Sequence, residues 1–215
     1  MMTHTDFAHV RHWVFDLDNT LYHPSVRLFD QIEVKMTDWV MQALGVDRPE
    51  ADRLRTHYWQ THGTTLAGLM AEHDVDPRPY LVDVHDISFA ALQPDPALTH
   101  AIAALPGRRI VYTNGSASYA RNVLAARGLT HAFDAVYGVE DAGFHPKPAR
   151  TAFETIFARD GTDPTTAAMF EDDPRNLAAP HAMGMRTVLV TPEPHHAPFI
   201  QHHTDDLTSF LMALV

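Results

Sequence analysis

From Arg11 the chain turns apolar, through Trp13-Val14-Phe15, and then breaks into Asp16-Leu17-Asp18-Asn19-Thr20. A short apolar run bounded by turn residues predicts a buried strand from Arg11 to Phe15 with acids at its carboxyl end. From Pro24 and Ser25 the rhythm changes. Phe29, Ile32, Met36, Trp39, Val40, Ala43 and Leu44 recur at steps of three and four, which predicts a long helix stopped by Gly45. A second helix is expected from Pro49 to about Thr61, closed by His62-Gly63. Thr65 caps a short third through Leu66, Leu69 and Met70, and Asp76-Pro77 opens a less regular fourth segment through Tyr80 and Val84 towards Leu92.

After Pro94-Asp95-Pro96 apolar strands and amphipathic helices alternate. Helices are predicted at Ala97 to Ala104, Ser116 to Arg127, Pro148 to Ala158 and Asn176 to Met183. Strands are predicted at Arg108 to Tyr112, Phe133 to Tyr137, Ala167 to Phe170 and Arg186 to Val190. Strands and helices in alternation, joined by short connections, imply an α/β fold with a doubly wound parallel sheet. The helical run after the first strand reads as an inserted module. The expected organisation is a core of residues 1–22 and 95–215 with a helical insertion over 23–94.

Composition narrows the class. A chain of 215 residues buries roughly 70% of its unfolded surface, enough for a real core. No stretch reaches the ~20 apolar residues of a membrane span, and Met1 to His12 lacks an apolar signal-peptide region, so no membrane partner and a cytoplasmic location are expected. With no cysteine, thiolate chemistry and disulfides are excluded. The net charge of −11 argues against binding a nucleic-acid polymer, which needs clustered Lys and Arg. His195-His196 and His202-His203 are expected to be solvated loop residues, since no acidic or Cys ligand spacing accompanies them.

Four pieces fall at predicted strand ends, where open α/β sheets bind ligands. Asp16 and Asp18 lie two apart, so on an extended backbone their side chains point the same way. Alone, the pair reads equally well as a turn. At the end of a buried strand it suits a carboxylate nucleophile, Asp16, and a proton donor, Asp18. Thr113, Asn114 and Gly115 offer a hydroxyl, an amide and backbone N–H groups to phosphoryl oxygens, though Asn and Ser also cap helices. Lys147, one of only two lysines, is clamped between Pro146 and Pro148. Glu171-Asp172-Asp173 would repel one another unless a cation lay among them, and an all-oxygen set suits Mg²⁺. Asp172 is the first candidate metal ligand, with the Asp16 carboxylate and the Asp18 carbonyl. Either Glu171 or Asp173 would complete the outer shell.

The order and spacing of these residues resemble the haloacid dehalogenase-like hydrolase superfamily over nearly the whole chain. That resemblance implies a Rossmann-like core, a helical cap that closes over the site, and phosphatase chemistry, because Asp occupies position 18. The stretches Phe15 to Pro24, Gly63 to Leu69, Tyr112 to Gly115 and Phe170 to Leu177 are similar to the pyrimidine 5′-nucleotidase branch, although that branch usually carries Asp-Asp-Ser where this chain has Glu171-Asp172-Asp173. The expected activity is Mg²⁺-dependent hydrolysis of a small-molecule phosphate ester, a pyrimidine nucleoside 5′-monophosphate. A sugar phosphate or phosphoglycolate is the alternative substrate, and a non-enzymatic phospho-sensor the alternative class. Tyr22, His23, His62, Thr64 and Thr65 are candidate cap or hinge residues near the site, with plain packing and capping as their other reading.

Overall fold

The structure, a computed structural model, describes residues 4–215. The expectation that no signal segment occupies Met1 to His12 falls partly outside the described residues. Six parallel strands form the sheet: β1 (His12–Phe15), β2 (Arg108–Tyr112), β3 (Ala135–Tyr137), β4 (Ala167–Glu171), β5 (Arg186–Val190) and β6 (His202–Thr204). Their spatial order is β3-β2-β1-β4-β5-β6. The winding direction therefore reverses between β1 and β4, and a crevice opens there at the carboxyl ends of both strands.

The period-two alternation of β1 assigns each residue to a layer. Trp13 and Phe15 pack on one face with Val111, Ala168 and Phe170, and Phe15 stacks on Phe170 at 4.6 Å. Val14 points to the other face with Ile110 and Met169. The first face is covered by helices α5 (Pro96–Ala104), α6 (Ala117–Ala126) and α9 (Leu207–Met212), through Ile102, Val123 and Phe210. The second is covered mainly by α7 (Arg150–Asp160), through Phe153 and Ile156, with the short α8 (Ala178–Ala182) beside it. Both faces are sealed, which is the condition for an all-parallel sheet.

Between β1 and α5 run four helices: α1 (Leu28–Leu44), α2 (Arg48–His62), α3 (Thr65–His73) and α4 (Pro77–Val84). They pack on one another, α1 against α2 and α4, and α2 against α3. Gly68 lets α3 approach α2, because a Cβ there would stand 2.2 Å from the Tyr58 ring. Gly63, at φ +89, turns the chain between α2 and α3 against the Lys147 loop, where a Cβ would meet the Lys147 carbonyl at 3.3 Å.

Several boundaries differ from the sequence reading. The helix expected to open at Pro24 begins as a 3-10 turn (Pro24–Val26), and Arg27 in the left-handed region at φ 55 separates it from α1. The fourth segment stops at Val84 instead of running towards Leu92. His202 and His203 are not solvated loop residues. They form edge strand β6, where His202 packs on Phe7 and Phe210 and His203 Nε2 bonds the Thr191 carbonyl at 2.8 Å. His195 and His196 are exposed, as expected. Among the described residues no helix is long and apolar enough to cross a membrane.

Candidate active site

The acidic residues of β1 and β4 meet across the reversal point. One carboxylate oxygen from each of Asp16, Glu171 and Asp172 lies within 4.8 Å of the others. Lys147, only 1% exposed, extends its Nζ between them, 2.7 Å from Asp16 Oδ1 and 2.6 Å from Glu171 Oε2, and donates also to the Tyr112 carbonyl at 3.2 Å. Thr20 Oγ1 donates to Asp16 Oδ2 at 3.3 Å. Asn19, at φ 57, turns its amide onto Asp172 Oδ2 at 3.3 Å.

Asp18 stands slightly apart. Its Oδ1 accepts hydrogen bonds from Tyr22 OH and from Tyr119 OH, each at 2.6 Å. Burial, with repulsion from the Asp16 charge behind it, pushes Asp18 up to about 6, although both phenols oppose the rise. Burial and the Asp18 charge drive both phenols far above their ordinary value, so they remain donors. Asp16 is pushed up to about 7, first by burial and then by Glu171, against the pull of Lys147. Asp172 is raised by burial and by the charges of Glu171 and Asp16. Burial disfavours the Lys147 ammonium, but the two carboxylates outweigh it and hold its value up.

The donor set can be tested against a metal. Asp16, Glu171 and Asp172 gather around one buried ammonium, Lys147, which pairs with the first two, so the cluster carries excess negative charge. Buried anions in excess must either take up protons or gain a cation. The donors are all hard oxygens, and Mg²⁺ fits them. Asp173 is turned away from this cluster. It binds Arg175 Nη2 at 2.6 Å and Nε at 3.0 Å, and caps the 3-10 turn Pro174–Leu177. Of the two acids the sequence left open, Glu171 is the one beside Asp16. Asn176, read as a helix-start residue, is buried with its Oδ1 unpaired.

The second motif is arranged differently from its sequence reading. The Asn114 side chain holds the Lys147 backbone, donating from Nδ2 to its carbonyl at 3.1 Å and accepting from its N–H at 2.8 Å. It orients the lysine loop, and of its two amide hydrogens one remains for a phosphoryl oxygen. Gly115 N–H likewise turns inward onto Thr113 Oγ1 at 2.9 Å, which leaves the Thr113 hydroxyl hydrogen to donate elsewhere.

These groups floor a cavity of about 620 Å³ roofed by α1, α2 and α4. Its far wall carries the apolar Phe29, Ile32, Met36, Leu81 and Val84 beside the polar Glu33, Asp52 and Tyr80. Arg55 lies among them, held by Thr37 Oγ1 at 2.7 Å, Glu33 at 3.4 Å and Asp52 at 3.5 Å. Thr64 and Thr65 line the cavity, and Thr64 also caps α3. His23 does not line it. Exposed, it caps the 3-10 turn Pro24–Val26 and borders a smaller, separate pocket. His62 is likewise outside, bonded to Glu72 at 2.8 Å. Tyr119, His85, Arg55 and Arg175 escaped the sequence reading. The only signal for Tyr119 was its place in the first turn of the helix that follows a motif-bearing strand.

A parallel sheet with acids gathered at its reversal point, a buried lysine among them and a helical insertion above puts the candidate site where doubly wound α/β folds bind ligands. Residues 10–184 match the haloacid dehalogenase-like hydrolase family, and the chain belongs to it. It is similar to Phosphate metabolism protein 8 of Saccharomyces cerevisiae, 26% identical over 191 residues, covering 81% of this chain and 60% of that protein. It is also similar to Fructose-1-phosphate phosphatase YqaB of Escherichia coli, 33% identical over 121 residues, covering 54% of this chain and 63% of that protein. The matches thus span under two thirds of either relative. Among solved structures, an HAD phosphatase from Thermococcus onnurineus superposes with a TM-score of 0.62 at 20% identity, over 95% of this chain and 98% of that one, which shows the shared fold.

Proposed function

We propose that the chain is a Mg²⁺-dependent phosphomonoesterase acting through a phosphorylated aspartate, with a pyrimidine nucleoside 5′-monophosphate as its substrate. The observation that carries this reading is the buried Asp16, braced by Lys147 on a cavity floor that Asp18 also lines. Asp16 attacks phosphorus, the bond to the ester oxygen breaks, and Asp18 gives its proton to that oxygen. Asp18 then takes a proton from water, the water oxygen bonds to phosphorus, and Asp16 is released with inorganic phosphate. The Thr113 hydroxyl holds a phosphoryl oxygen, and the Lys147 ammonium, whose three hydrogens lie on Asp16, Glu171 and the Tyr112 carbonyl, exchanges one of these partners for a second phosphoryl oxygen when substrate binds. Asp16 and Asp172, with the Asp18 carbonyl and Glu171 behind them, would hold Mg²⁺, whose charge offsets that of the phosphate dianion. Residues 1–22 and 95–215 act as the core, and residues 23–94 as a cap that excludes water.

The substrate class rests on the cap side. A wall of Phe29, Ile32, Met36, Leu81 and Val84 suits the flat face of a base better than a polyhydroxylated sugar. The likeness to a protein named for fructose 1-phosphate keeps a sugar phosphate as the second reading. Initial rates of phosphate release from UMP, CMP, AMP, GMP, fructose 1-phosphate and phosphoglycolate, with Mg²⁺, test both. UMP and CMP are expected to lead. A sugar phosphate that outruns them removes the nucleotide assignment, and no release from any ester removes the phosphatase.

A further inference from the structure

We infer that Tyr22 and Tyr119 are positioning residues that fix Asp18 for proton transfer, and that His85 of the helical insertion buttresses Tyr119. The inference rests on the acid–base role proposed above for Asp18 and goes beyond it to the groups that aim it. Both phenols donate to the same oxygen, Asp18 Oδ1, at 2.6 Å. A carboxylate oxygen offers about two lone pairs, so Oδ1 is filled. Among the described residues no donor is bonded to Oδ2. Oδ2 is therefore the oxygen left to carry a proton to the leaving group and to take one from water.

The two phenols hold Asp18 from different parts of the fold. Tyr22 lies in the loop after β1, four residues from Asp18, and Tyr119 lies in the first turn of α6, 101 residues away. Their side chains are 2% and 1% exposed, so neither phenol swings freely. The grip on Tyr119 continues into the helical insertion. The His85 ring, at the end of α4, stacks on Tyr119 at 4.3 Å and 8°, and its Nδ1 lies 3.2 Å from Ser116 Oγ, the N-cap of α6. Docking of the insertion against the core thus presses on the side chain that aims Asp18. A misplacement of about 1 Å can cost on the order of 10²-fold in rate, so such support matters to catalysis.

The test is a series of monophosphates with leaving groups from nitrophenolate to alkoxide, read as kcat/KM, which ends at the departure of the leaving group. Proton donation matters for alkoxides and little for nitrophenolate. Tyr119→Phe is expected to lose about 10–100-fold on alkyl esters and under about threefold on nitrophenyl phosphate. Tyr22→Phe should show the same slope independently. His85→Ala should show a smaller version that His85→Phe, which keeps the stack, restores. Uniform losses across the series in both tyrosine variants, beside a graded loss in Asp18→Asn, overturn the positioning role and leave the acid standing. Failure of His85→Phe to restore what His85→Ala loses overturns the buttress. A uniform loss in Asp18→Asn overturns the acid itself, and this inference with it.

Discussion

Lys147 Nζ lies 2.7 Å from Asp16 Oδ1, a contact made across 131 residues of chain. The same nitrogen lies 2.6 Å from Glu171 Oε2, so one ammonium joins the ends of β1 and β4. Asn114 fixes the loop that delivers it. This cation at once steadies the acidic floor and faces the position where phosphorus would bond to Asp16.

Lys147→Met should therefore damage both activity and stability. Removing one partner of a buried ionic cluster typically costs about 3–5 kcal/mol, because the remaining charges are left uncompensated. Phosphate release is expected to vanish, and urea unfolding in chelator at neutral pH should show the loss. Acidification should recover part of the stability, since the carboxylates then protonate. A variant as stable as the parent at neutral pH would mean that the cluster is not charged as described.

Asp16→Asn should abolish turnover while the protein stays folded, because an amide cannot accept the phosphoryl group. Thermal melting tests the fold and phosphate release tests the chemistry. Substantial activity in this variant would remove the covalent route.

Without metal, stability should fall as pH rises from about 4 to 7. Asp18 is raised to about 6 and Asp16 to about 7 from an ordinary value of 3.8. Between those values the folded protein holds protons that the unfolded chain has released. Their stabilisation is complete below the ordinary value and is lost as pH climbs through 6 and 7. At about 1.4 kcal/mol per unit, Asp18 alone contributes on the order of 3 kcal/mol. Melting temperatures with chelator should decline across this window, Asp18→Asn should flatten the decline, and Mg²⁺ should stabilise more at the higher pH. A flat profile in chelator contradicts the raised values.

The ends of β1 and β4 were legible because an apolar run that stops at carboxylates is a local pattern. The winding reversal that joins them follows from alternating strands and helices. What the chain did not announce is how polar groups divide their bonds. Asn114 reads as a phosphate donor because its amide is one, and the sequence does not show that its oxygen and one of its two amide hydrogens hold the Lys147 backbone. Tyr119 lies 101 residues from Asp18, and nothing in an isolated Ala-Ser-Tyr-Ala stretch identifies that partner. Edge strand β6 was missed because His202-His203-Thr204 is short and carries no apolar run, its place being set by pairing with β5.

Nucleoside di- and triphosphates should be poor substrates, for reasons of charge. Three ordinary cations line the cavity, Lys147, Arg55 and Arg175, and each is paired to carboxylates. Against them the lining presents seven acids: Asp16, Asp18, Glu33, Asp52, Glu171, Asp172 and Asp173. One phosphate dianion can be met at the floor by Lys147 and a metal. A second phosphate would reach towards Arg55, whose charge already serves Glu33 and Asp52, and would find only its unpaired Nε–H against the repulsion of both carboxylates. A penalty of about 1.4 kcal/mol lowers affinity tenfold, and an uncompensated charge in a partly closed cavity should cost at least that. Hence kcat/KM for UDP and UTP should lie about tenfold or more below UMP, measured at equal free Mg²⁺. Arg55→Gln should not narrow the gap, because the two freed carboxylates add repulsion. Comparable rates for UTP and UMP would mean that the cavity opens a positive path that these pairings do not provide.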